Sequence, residues 1–87
     1  MSTATVEFFG VPRLRAGVAA VTVAAGPLRS VLAAATRACP GLAGLIPGGR
    51  PGPHVLVSLN GERFVTDADE VIPAGARVLL LSADAGG

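Results

Sequence analysis

The residues best suited to chemistry in this 87-residue chain are its last two, Gly86 and Gly87. A carboxylate on a thin arm without Cβ atoms, preceded by the small Ala85, can be threaded into the active site of another protein where bulkier residues would clash. Such a carboxylate resists weak nucleophiles until one of its oxygens becomes a better leaving group, a change that an ATP-dependent adenylating partner supplies. The other reading is a frayed end, the common state of domain termini. The remaining reactive side chains stand alone. Cys39 is the single cysteine and falls on an apolar helical stripe, where a thiol without a neighbouring cation is inert. His54 sits beside a Pro/Gly loop with no cluster of metal-type ligands and reads as a loop histidine. Asp67, Asp69 and Glu70 lack the ligand spacing and glycine of a calcium loop and read as a solvated turn. Gly48-Gly49-Arg50 is not followed by Gly-Lys-Ser/Thr, so it reads as a flexible loop and not a phosphate cradle. The expectation is a chain with no catalytic residue, metal site or bound cofactor of its own.

Composition narrows the partners. Seven basic residues, all arginine, oppose six acids for a net charge of +1, which gives no single-sign field of the kind that binds nucleic acid. Three phenylalanines without Trp or Tyr leave no stacking platform for single strands. Residues 17–28 are the longest strongly apolar stretch, roughly a dozen residues against the 20 or so that span a bilayer, so no membrane partner is expected. The start, Met1-Ser2-Thr3-Ala4-Thr5, has no basic segment followed by an apolar one, and a lone cysteine allows no internal disulfide; both point to a reducing cytoplasm. A hydrophobic fraction of 51% is enough for one small core of Val, Leu and Ala.

The elements that must position the terminus follow from periodicity. Alternation predicts a strand over 3–9, a loop through Gly10, Pro12 and Gly17, and a second strand over 19–24 that forms a hairpin with the first. Gly26-Pro27 resembles a cap followed by proline at the first helical position, and Leu28, Val31, Leu32, Ala35 and Cys39 make one apolar stripe of a helix that Pro40-Gly41 ends. A short turn over 42–46 and a Pro/Gly loop over 47–53 lead to a strand from Val55 to Leu59. Asn60-Gly61 is a strong hairpin signal, with 62–65 returning. Residues 71–75 read as a further turn, and the run Val78-Leu79-Leu80-Leu81 reads as a central strand buried on both sides. The result is an α+β domain, residues 1–82, whose mixed five-stranded sheet carries one main helix on one face, followed by a flexible tail, 83–87. With Val6, Phe8, Val57, Val78 and Leu80 turned to the helix, Phe9, Leu56, Leu79 and Leu81 turn away, an apolar set that marks either loop packing or a docking patch for a partner.

Taken in order, Phe8-Phe9-Gly10, Arg13-Leu14-Arg15-Ala16-Gly17, Val57-Ser58-Leu59-Asn60-Gly61, Ile72 with Gly75, and terminal Gly86-Gly87 cover nearly the whole chain. This set resembles the ubiquitin-like, β-grasp sulfur carriers of the MoaD/ThiS family. The resemblance implies a β-grasp fold and a co-substrate in place of an enzyme. In such carriers an E1-like adenylating and sulfurtransferase enzyme uses ATP to activate the C-terminal carboxylate, here that of Gly87, which becomes a thiocarboxylate (1-thioglycine). A sulfur-accepting synthase then takes the sulfur for molybdopterin, thiazole, cysteine or a specialised metabolite. Ala76-Arg77 and Ser82-Ala83 replace the acidic pair and prolines that members often carry, which bears on partner choice. The alternative is a ubiquitin-like modifier or a non-catalytic interaction module.

Overall fold

The computed structural model describes residues 2–83. Its sheet starts with β1 (Thr3–Phe8), where Ala4, Val6 and Phe8 are buried and the intervening residues are half-buried, the two-residue period of a strand with one face on a core. β2 (Ala20–Ala24) pairs antiparallel to β1, with Val6 opposite Val21. β7 (Arg77–Ser82) lies parallel to β1 on its other side and antiparallel to β4 (Val55–Leu59), which in turn pairs with β5 (Arg63–Phe64). The order β2-β1-β7-β4-β5 makes β7 the middle strand, as its apolar run predicts, and the sheet is mixed.

Helix α2 (Leu28–Ala38) packs across one face. Leu28, Val31, Leu32 and Ala35, together with Cys39 just beyond the helix, are buried against Val6, Phe8, Val57, Val78 and Leu80. Each fully buried Val or Leu contributes about 1.5–3 kcal/mol relative to exposure, so this two-layer contact dominates the stability. Leu42, Leu45, Ile46 and Ile72 close the core from the side.

Five local readings need correction. Residues 10–17, expected as a loop, contain the helix α1 (Val11–Ala16), entered through Pro12 in its first turn and stopped by Gly17. Pro12 packs inward and is fully buried, an anchor that outweighs the loop character of its neighbours. Gly26-Pro27 is not the start of the helix: it forms the two-residue strand β3 (Gly26–Pro27), antiparallel to β6 (Val71–Ile72), and Pro27 is the helix cap. β6 falls in a stretch whose sequence reads as a turn, but Ile72 is buried and holds the segment to the core, while the turn is confined to the residues after it. The Pro/Gly loop holds one 3₁₀ turn, Pro47–Gly49, and another, Pro40–Leu42, follows α2. β1 also ends at Phe8, one residue short of the expected boundary.

Candidate functional site

Strand register assembles the helix-free face. Leu56 lies opposite Leu81, and Leu79 lies between Glu7 on β1 and Ser58 on β4. Partners in register point to the same side of a sheet, so Leu56, Leu79 and Leu81 share one face, while Phe9 lies just past the end of β1. Phe9 is 42% exposed and Leu56 40%, whereas Leu79 and Leu81 are half-buried, so β7 is not buried on both sides as its apolar run suggests. Sequence reasoning missed Phe64, which pairs with Ser58 and is 61% exposed. Its place follows from the hairpin: Asn60 and Gly61 have φ of 59° and 72°, and with Glu62 they form a three-residue loop that pairs Leu59 with Arg63 and so puts Phe64 opposite Ser58, on the same face.

Charged groups at the other end of this face are tied down. Arg77 donates from Nε to Glu7 Oε2 at 2.7 Å, and from a second guanidinium nitrogen to Oε1 at 3.1 Å. That bidentate bond holds the Glu7 carboxyl below the usual glutamate value, against a smaller opposing effect of burial. Glu70 is lowered in the same way by its hydrogen bonds from Arg63, and Asp69 pairs with Arg29. Asp67 Oδ1 accepts the Asp69 N–H at 2.9 Å. The acidic turn is therefore committed to arginines and to its own backbone. Cys39 is buried, and among the described residues no group of three His, Cys, Asp or Glu side chains could hold a metal ion.

The root of the tail is held from both sides. Val11 N–H donates to Ser82 Oγ at 2.8 Å, and Ala83 N–H donates to the His54 carbonyl at 2.9 Å. Gly10 makes the first of these possible. Its φ of 61° with ψ of −132° belongs to glycine, and a Cβ there would overlap Ser82 Oγ and sit 3.3 Å from Ser82 Cβ. Ser82 and Ala83, at the end of the middle strand, are thus held in place next to Leu81. Ala85, Gly86 and Gly87, the expected reactive segment, lie outside the described residues.

No family model and no curated protein matches the sequence. Among solved structures, SAMP1 from Haloferax volcanii aligns with a TM-score of 0.82 at 24% identity, over 98% of this chain and 99% of that one. A putative molybdopterin converting factor subunit 1 from Pyrococcus furiosus aligns with a TM-score of 0.75 at 18% identity, covering 94% of this chain and 98% of its own. Urm1 from Trypanosoma brucei aligns with a TM-score of 0.66 at 24% identity over 99% of this chain and 96% of that one. The mixed five-stranded sheet with one main helix is therefore the ubiquitin-like β-grasp fold, the fold that the resemblance of the sequence implies.

Proposed function

We propose that this protein is a sulfur carrier in which Gly87 holds the sulfur and Ala85 and Gly86 form the arm that delivers it. The observation that carries the reading is the placement of the tail root: the middle strand of a β-grasp sheet ends, clamped at Ser82 and Ala83, beside the exposed apolar face of Phe9, Leu56, Leu79 and Leu81. An activating enzyme of the E1 type would grip that face while drawing the arm into its nucleotide site. There the Gly87 carboxylate oxygen attacks the α-phosphorus of ATP, giving an acyl adenylate and pyrophosphate. A persulfide sulfur then attacks the acyl carbon and AMP leaves. A thiol cleaves the resulting acyl disulfide, leaving a thiocarboxylate on Gly87 and a disulfide on the donor. The chain supplies no acid, base or metal to these steps; it supplies recognition and the carboxylate, as a co-substrate. A reducing cytoplasm suits this chemistry, and no described helix is long and apolar enough to cross a membrane.

Intact mass spectrometry after incubation with ATP, a cognate activating enzyme and a persulfide donor tests the reading. Replacement of one oxygen by sulfur at the C-terminus is expected, and its loss on deleting Gly86 and Gly87. Unchanged mass with an enzyme that demonstrably adenylates the chain refutes it. A second reading is favoured by the name of one neighbour, small archaeal modifier protein 1. As a modifier, the same activated carboxylate would acylate a lysine of a target, and the product would be a branched conjugate in place of a thiocarboxylate.

A further inference from the structure

The side of the molecule around the tail root carries a second surface, distinct from the sheet face. α1 has six residues, and at 100° per residue its buried Pro12 and half-buried Ala16 put Leu14 directly outward, with Arg13 on one flank and Arg15 on the other. Leu14 is 80% exposed, and Val11 and Val18 beside it are exposed as well. An apolar side chain displayed between two guanidinium groups has no role in the core beneath it.

Charge segregates along the strands in a way the sequence conceals. β1 and β7 are parallel, so both end where α1 lies and the tail leaves; β2 runs back, so the start of α2 is at the opposite end. That opposite end holds the acidic turn, with Leu28 N–H bonded to the Glu70 carbonyl at 2.8 Å and Arg29 N–H to the Ala68 carbonyl at 2.9 Å. α2 then brings Arg37, in its last turn, towards the tail end, where the backbone at Gly41 abuts the Arg15 carbonyl. Arg29, Arg63 and Arg77 are each paired with a carboxylate, whereas Arg13, Arg15, Arg37 and Arg50 are in no ion pair among the described residues; Arg50 lies beside Asp67 and Asp69, and the other three lie towards the tail end. Three arginines with no carboxylate partner among the described residues thus gather at the end where β7 finishes.

We infer that Arg13, Leu14 and Arg15 form a docking knob for a carboxylate-rimmed apolar pocket on the activating enzyme, one that steers the tail end of the carrier inward. This rests on the sulfur-carrier reading above. A protein pocket fits better than phosphates, because Leu14, Val11 and Val18 need an apolar complement that a phosphate chain does not offer. The charge pair contributes long-range attraction, which acts on encounter and weakens with salt.

The test is the initial rate of ATP-dependent thiocarboxylate formation by the E1-like enzyme of the same organism, against carrier concentration, at about 50 and about 300 mM NaCl. For Arg13→Glu/Arg15→Glu, KM at low salt should rise about tenfold or more with kcat within about twofold, and the salt dependence seen in the wild type should vanish. Arg13→Lys/Arg15→Lys should keep most of the affinity, and Leu14→Ser should raise KM equally at both salt concentrations. Circular dichroism should show all three variants folded, since these side chains are exposed. Wild-type loading with an unaltered KM in the Glu variant overturns the docking inference alone, as does a KM raised equally at both salt concentrations in that variant. A wild type that is adenylated but never acquires sulfur overturns the carrier reading and this inference with it.

Discussion

Gly10→Ala tests how the end of the middle strand is held. The backbone at Gly10, φ 61° and ψ −132°, lies in a region closed to side-chain-bearing residues, and adopting it costs about 1–3 kcal/mol. The added methyl also overlaps Ser82 Oγ, so the hydroxyl must turn away and the Val11 N–H to Ser82 bond of 2.8 Å is lost, for about 1 kcal/mol more. The sum, about 2–4 kcal/mol, is a large share of the 5–15 kcal/mol that holds a small domain together. At roughly 4–8 °C per kcal/mol for this size, Tm should fall by about 8–32 °C. Urea denaturation of Gly10→Ala, Ser82→Ala and the double variant measures the parts. Ser82→Ala alone should cost about 1 kcal/mol, and in the Gly10→Ala background much less, because the hydroxyl bond is already broken. A Gly10→Ala protein within about 0.5 kcal/mol of wild type, or strict additivity in the cycle, would refute this account of the tail root.

Three further outcomes are expected. Leu81→Arg should cost about 1 kcal/mol of folding because Leu81 is only half-buried, yet weaken binding to the activating enzyme by about 2–4 kcal/mol in titration calorimetry, since it buries an unpaired charge opposite Leu56. Asn60→Ala should destabilise by about 2 kcal/mol in thermal melts, from positive φ and from loss of the Arg77 N–H bond to Asn60 Oδ1, and Asn60→Gly by about half as much. Because the Glu7 carboxyl titrates below its ordinary value when folded, its stabilisation is complete above the unfolded glutamate value and is lost as pH falls through the lowered native one. Glu7→Gln should therefore lose less stability on acidification than wild type, and equal pH slopes in denaturant melts would show that the Arg77 pair contributes nothing.

Much of the architecture was legible because it rests on local periodicity. The alternation of Ala4, Val6 and Phe8, the stripe from Leu28 to Cys39 and the Asn60-Gly61 turn each impose one geometry on neighbouring residues, and the structure has them where the pattern put them. Parity likewise placed Leu56, Leu79 and Leu81 on one side, because alternation needs no knowledge of the partner strand. What the chain could not reveal locally is whatever depends on contact between distant segments. Val71-Ile72 becomes a strand only because Gly26-Pro27 is there to bond it, and residues 11–16 become a helix only because Pro12 finds a place in the core. The burial of Leu79 and the exposure of Phe64 depend on which strands flank them. The contact of Gly10 with Ser82 joins residues 72 positions apart in sequence order, a closeness fixed by the parallel pairing of β1 with β7 and invisible in either segment alone.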